Sequence, residues 1–223
     1  MQITVAVFDM AGTTVTDDGL VLASFDIAAT AAGIPEQGPE RDAARQYVLD
    51  TMGQSKIEVF RALVDSEERA VTANAAFERA YEDAIPGGVT AVPGAAETIT
   101  RLSDVGITTV FTTGFSPSTQ HAVLDELGWT DLVDIVLAPG AGTRGRPFPD
   151  LVLRAALAAQ VTDVAEVAVV GDTANDILTG HRAGAEIVVG VLTGAHDERA
   201  LRDAGASHVV ASVAELPEII LPR

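Results

Sequence analysis

Short runs of β-branched and apolar residues recur along the chain, at 3–8, 107–111, 135–137, 167–170 and 187–191. Segments of about 10–15 residues with helical patterning separate the later ones, at 117–127, 150–159 and 174–183. Strands alternating with helices fold as a parallel, doubly wound sheet, because the helices must cover both faces. The composition agrees. Apolar residues make up 48% of the chain and aromatics 4%, so the core is built from Ala, Val, Leu and Ile, which suits parallel strands buried on both sides. The expected class is α/β with a Rossmann-like core.

Residues 16–88 break the alternation. They read as helices near 20–33, 38–50, 54–65 and 67–84 and close at Pro86-Gly87-Gly88. A chain of 223 residues has room for a core with a smaller inserted domain. The expected division is 1–15 and 89–223 for the core and 16–88 for a small helical domain on the sheet's carboxyl edge.

In open α/β sheets the ligand site lies outside the carboxyl ends of the strands. At those ends stand Asp9, then Thr112-Thr113-Gly114, then Gly171-Asp172, while Gly145-Arg146-Pro147 follows the third run. All four should converge on one cleft beneath the insert. Asp9 and Asp172, with Asp176 four residues further on, offer the hard oxygen ligands that Mg²⁺ prefers. Thr113 can donate a hydroxyl and Arg146 a planar fork, both suited to phosphoryl oxygens. A carboxylate about 3.5 Å from one unit of phosphoryl charge is repelled by roughly 5 kcal/mol at an effective dielectric near 20. Mg²⁺ and Arg146 would offset that and let Asp9 attack phosphorus. Each piece alone is commonplace; an Asp after a strand often caps a helix, and Arg-Pro is a loop dipeptide. Four in this order are not.

The net charge of −18 excludes nucleic acid, whose binding needs phosphate neutralisation. With no cysteine there is no disulfide framework, thiolate metal site or thiol nucleophile. The chain opens without a basic leader and holds no apolar run of membrane-spanning length, so a cytoplasmic protein with a small-molecule substrate and no membrane partner is expected. A homodimer is compatible with this reading. Lys56 is the only lysine; every other member of the 14 Lys and Arg residues is arginine. Arginine cannot serve as an amine nucleophile near neutral pH, and lysine can once its pKa is lowered. Lys56, Phe60 and Leu63 follow i, i+4, i+7 spacing, so the amine should rise from an apolar helical face with Met52 one turn earlier and Gly53 allowing close approach. The bland alternative is a lysine snorkelling over the edge of a core.

The order of these motifs resembles the haloacid dehalogenase superfamily of phosphoryl-transfer enzymes. That resemblance makes Asp9 the nucleophile, Thr113 the second motif, Arg146 a replacement for the usual third-motif lysine, and Asp172 to Asp176 the acidic fourth motif. It makes the insert a cap and assigns Asp9, Ala11, Asp172 and Asp176 to Mg²⁺. Ordinary phosphatases of the superfamily carry a general-acid Asp two residues after the nucleophile; here that residue is Ala11. Asp-x-Ala-Gly-Thr-Thr at 9–14, Met-Gly-x-x-Lys-Ile at 52–57 and Gly-Arg-Pro-x-Pro at 145–149 look like phosphonoacetaldehyde hydrolase and its relatives. In that family the cap lysine forms a Schiff base and the carbon leaves as an enamine, needing no acid at the vacant position. The resemblance implies Lys56 as the imine-forming amine, with Ala11, Gly12, Thr13, Met52 and Gly114 around the substrate. It departs at Val59, where the family has His, at Phe115, where it has Tyr, and in lacking an early cap Cys. These departures point to another 2-oxoalkylphosphonate as substrate. An ordinary phosphatase for a small phosphate ester and a non-catalytic phospho-ligand binder remain alternatives. His121, His181, His196 and His208 lie outside the motifs, and Trp129 is read as packing.

Overall fold

The computed structural model describes residues 2–140 and 142–221. β1 (Val5–Asp9) is buried along its whole length, and the reason is its place in the sheet. Six parallel strands run in the order β5, β4, β1, β6, β7, β8, with β4 at Thr108–Thr112, β5 at Ile135–Leu137, β6 at Val167–Gly171, β7 at Ile187–Val191 and β8 at His208–Val210. The side-chain period of two sends Val5 and Val7 to one face and Ala6 and Phe8 to the other. On the first face they meet Val152, Ile177 and Leu201. On the second they meet Ile99, Leu102, Phe111 and Leu124. The covering helices are α5 (Ala95–Asp104), α6 (Pro117–Leu127), α7 (Asp150–Ala158), α8 (Ala174–Ala183) and α9 (Glu198–Asp203), with a last short turn, α10 (Pro217–Ile220). Trp129 is buried and stacks on Phe111 at 6.0 Å, a packing role as expected.

Register aligns the carboxyl ends. Asp9 sits opposite Thr112, and Gly171 opposite Gly190. Side chains that follow these positions therefore emerge on one edge.

Between β1 and β4 lie the helices α1 (Leu20–Ala31), α2 (Pro39–Asp50), α3 (Lys56–Leu63) and α4 (Glu67–Ala84). Their apolar side chains are continuous with those on the second face of the sheet, and among them Phe60 stacks on Phe25 at 5.9 Å and tilts against Phe77 at 6.1 Å. Arg41 is buried there, and its guanidinium donates to the Pro35 carbonyl at 2.7 Å, the Asp26 carbonyl at 3.0 Å and the Thr30 hydroxyl at 2.6 Å. A buried charge is tolerated when its donors are matched in this way. The chain crosses to and from this group through β2 (Val15–Thr16) and β3 (Thr90–Ala91), which pair antiparallel with each other. Neither short strand, nor α5, α9 or β8, was legible in the sequence. The helix carrying Lys56 also starts later than the pattern predicts. It begins at Lys56, and Met52 to Ser55 form a turn, because Gly53 takes a left-handed backbone at φ 85° and Ser55 an extended one. Met52 is thus not one helical turn before Lys56 but in the loop leading to it.

Candidate active site

Each carboxylate of the cleft is positioned by a strand end or a cap. Asp9 is the last residue of β1, buried with 5% exposure. Asp172 follows β6 and is held by two donors, the Thr13 hydroxyl at 3.0 Å and the Ala195 amide at 2.7 Å. Asp176 is the third residue of α8 and completes a capping box with Thr173, accepting from the Thr173 amide at 3.0 Å and hydroxyl at 2.5 Å. Carboxylate oxygens of Asp9, Asp172 and Asp176 all lie within 4.8 Å of one another, and all three residues are buried. Arg146 reaches them from the loop after β5. Its Nη1 donates to Asp9 at 2.5 Å and also to Asp176. Its Nε is buried and has no acceptor among the described residues.

The electrostatics follow from crowding. Burial pushes Asp9 well above the usual carboxylate range; Arg146 opposes this, while Asp176 and Asp172 add to it. Burial, then Asp176, lifts Asp172 to about 6, against the donors from Ala195 and Thr13. Burial disfavours the Arg146 cation as well, but Asp176 and Asp9 outweigh it and hold the guanidinium firmly protonated. Three carboxylates against one guanidinium leave a deficit of positive charge in a buried, oxygen-lined site. A hard divalent cation fits that deficit.

Above this floor lies a cavity of about 340 Å³ whose walls include Asp9, Ala11, Gly12, Met52, Lys56, Thr113, Gly114, Arg146 and Asp172. Nearly all the residues singled out in the sequence are thus brought to one space. Thr13 and Asp176 are the exceptions; Thr13 is fully buried and faces Asp172, and Asp176 lies beneath the lining, bonded to Thr173 and Arg146. The Thr113 hydroxyl accepts from the Phe115 amide at 3.2 Å, which leaves its own proton free for a ligand.

Lys56 comes down from the insert. Its Nζ lies 5.3 Å from the centre of the Phe115 ring and 5.7 Å from that of Phe77. Burial lowers the amine to about 8, Arg146 pushes the same way, and Asp9, Asp17 and Asp172 pull against them. The apolar surroundings come from α4 and the loop after β4, in addition to the lysine's own helix. The turn before Lys56 is seated on the core by backbone contacts. The Lys56 amide donates to the Gly114 carbonyl at 3.3 Å, and the Asn175 side chain donates to the Met52 carbonyl at 2.7 Å. Two glycines make that approach possible. A Cβ at Gly114 would stand 2.5 Å from the Gln54 carbonyl oxygen, and one at Gly53 2.6 Å from the Thr173 hydroxyl.

Sequence reasoning missed Asp17, Tyr81, Phe77 and the loop Thr193 to Ala195. The loop follows β7, so its place at a strand end was a usable signal. It carries no charge, and so it went unnoticed. The histidines stay out of the cavity lining; His196 accepts from the Ala174 amide at 2.9 Å and ties this loop to α8.

Comparison with known proteins gives the family. The model of the haloacid dehalogenase-like hydrolases matches residues 3–184, and the chain belongs to that family. It is 26% identical to a probable phosphatase, IndB, of Dickeya dadantii over 94% of this chain and 90% of that one. It is 30% identical to a phosphonoacetaldehyde hydrolase of Lactiplantibacillus plantarum, over 57% of each chain. Among solved structures, a phosphonoacetaldehyde hydrolase-like protein of Oleispira antarctica superposes with a TM-score of 0.83 at 24% identity, covering 99% of this chain and 92% of that one. That likeness is one of fold.

Proposed function

We propose that this hydrolase cleaves the C–P bond of a small 2-oxoalkylphosphonate, using Lys56 as a Schiff-base amine and Asp9 as the phosphoryl acceptor. The observation that carries this reading is the placement of the chain's one lysine. It shares a cavity with Asp9 and Asp172, lies over two adjacent aromatic rings, and has its amine lowered to about 8. At neutral pH a few per cent or more of such an amine is unprotonated, against roughly one in 2,500 for a free lysine.

The neutral Lys56 amine adds to the substrate carbonyl, one proton is taken up from solvent and water is lost, giving a protonated imine. An Asp9 oxygen attacks phosphorus, the C–P bond breaks, and its electron pair moves onto the iminium as an enamine. Water then cleaves the aspartyl-phosphate to release phosphate. The enamine takes up a proton, and hydrolysis of the imine frees the aldehyde or ketone and Lys56. Asp9, Asp172 and Asp176, with the backbone carbonyl of Ala11, are the groups that would hold Mg²⁺. The ion would supply charge neutralisation between the Asp9 carboxylate and the phosphoryl oxygens. Arg146 and the Thr113 hydroxyl would bind those oxygens, and the unmatched Nε of Arg146 supports an acceptor arriving there. Residues 16–88 would act as the cap that excludes water.

A second reading, hydrolysis of a small phosphate ester, is favoured by the likeness to the probable phosphatase over 94% of the chain. It must do without a general acid at Ala11, a loss typically worth about 10²–10⁴-fold in rate. The two readings separate on Lys56→Arg, which keeps the charge and removes the imine. Phosphate release from a panel of 2-oxoalkylphosphonates and small esters should show phosphonate turnover in the wild type, with Lys56→Arg down by about 10³-fold or more. Substrate plus borohydride should inactivate the wild type with one adduct at Lys56. Equal activity in the two proteins would leave ester hydrolysis as the better account.

A further inference from the structure

The cavity is lined by two chemically different sets of residues. Its core wall is cationic or metal-ready, with Arg146, Thr113 and the Asp9–Asp172 pair. Its other wall comes from the first segment of the insert, Asp17 to Leu22, and from Met52. Val21, Leu22 and Met52 are apolar, and Asp17 is half-buried among the lining groups. Asp18 also borders the cavity but is exposed.

Asp17 is not a loose surface carboxylate. The Tyr81 hydroxyl donates to its Oδ2 at 3.0 Å, and the Gly19 amide donates to its Oδ1 at 3.2 Å. Tyr81 is fully buried on α4, with its ring 4.6 Å from that of Phe115 and 5.9 Å from that of Phe77. These are the two rings that face the Lys56 amine. Burial, and then the Asp17 charge, holds the Tyr81 phenol far above its ordinary range, so it remains a donor. A buried hydroxyl whose stable partner is a cavity carboxylate fixes that carboxylate in orientation. The family pattern places a Tyr at the position of Phe115 in this chain. Here a tyrosine from the insert packs against that phenylalanine, and its hydroxyl serves Asp17.

We propose that Asp17, positioned by Tyr81, is a specificity residue that reads the far end of the substrate's carbon chain. It accepts tails that are uncharged, hydroxylated or cationic and turns away tails that end in a carboxylate. The assignment rests on the reading of this cavity as the site of a small phosphonate or phosphate. A second carboxylate brought against Asp17 would meet like charge with its solvent removed, and rejection by such an element is how specificity against a close analogue is built. The apolar side chains of Val21, Leu22 and Met52 in the same lining suit a short carbon chain.

The test compares two non-hydrolysable ligands of matched length, propylphosphonate and 3-phosphonopropionate, by calorimetric titration of the full chain in Mg²⁺. Both carry the same head group, and only the second carries a terminal carboxylate. In the wild type propylphosphonate should bind about tenfold or more tightly than 3-phosphonopropionate. Asp17→Asn should bring that ratio close to one. Asp18→Asn, at an exposed position, should leave it in place. Equal binding of the two ligands by the wild type would overturn the proposal without need of any variant, and so would an unchanged ratio in Asp17→Asn. If neither ligand binds, the head-group site itself is misread and the assignment of Asp17 goes with it. Neither ligand carries a carbonyl, so no imine forms with Lys56 in either titration, and failure of the Schiff-base step is separable from failure here.

Discussion

Lys56 illustrates how one side chain can be legible in kind and obscure in setting. Its rarity and its apolar i, i+4, i+7 spacing could be read from the sequence, as could the carboxylates, because strand ends place Asp9 and Asp172 by rule. What lowers the amine could not be read. Phe77 lies on α4, and Phe115 follows β4, so only the packed structure shows both rings around Nζ. The same holds for Tyr81 and Asp17, which are 64 residues apart in the chain. The consequence at this scale is a pH profile. An amine lowered to about 8 is mostly charged below that value and mostly neutral above it. The rate of borohydride-trappable adduct formation should therefore rise with pH and level off above about 8, where an ordinary lysine would still be climbing towards about 10.4. A trapping rate still rising steeply at pH 9.5 would show that the cavity does not perturb Lys56.

At the scale of elements, the site depends on a seam between the turn 52–55 and the loops after β4 and β6. Gly114 has an ordinary backbone conformation, so a methyl group added there acts through contact alone. It would press on the Gln54 carbonyl at 2.5 Å, and a carbonyl fixed in a turn has little room to give. Gly114→Ala should cost about 1–3 kcal/mol of stability through overpacking. It should also cost more in kcat/KM than the lost stability explains, since the displaced turn carries Lys56. Thermal unfolding and steady-state kinetics on the same preparation would check both, and wild-type values for both would show that the seam is slack. The turn itself was hard to foresee. Helical periodicity extends across 54–65, and only the left-handed Gly53 and the extended Ser55 stop it two residues short.

For the whole molecule, the carboxylate cluster links stability to pH and metal. Asp172 is raised from an ordinary carboxylate value to about 6, so the folded chain without metal holds a proton that the unfolded chain gives up. Its contribution is fully present below about 3.8 and is lost as pH rises through about 6. Without metal, Tm should therefore decline from pH 5 to pH 7 for this reason. Saturating Mg²⁺ should raise Tm most at pH 7 and least at pH 5, where protons compete for the same oxygens. A Tm shift with Mg²⁺ that is the same at both pH values would argue against metal binding by this cluster. The parallel sheet and its order of chemistry were open to sequence reasoning because alternation and strand-end placement are local rules. The pairing of β2 with β3 was not, because Val15 meets Ala91 across the entire insert. That pairing has a mechanical meaning. The two chain crossings form one hydrogen-bonded ribbon, which resists twist and sideways slip far more than two separate tethers would. What it leaves soft is bending across its width, so the insert is mounted as a lever on a single fulcrum. The lone amine and the Asp17 clasp both belong to that insert and must travel together.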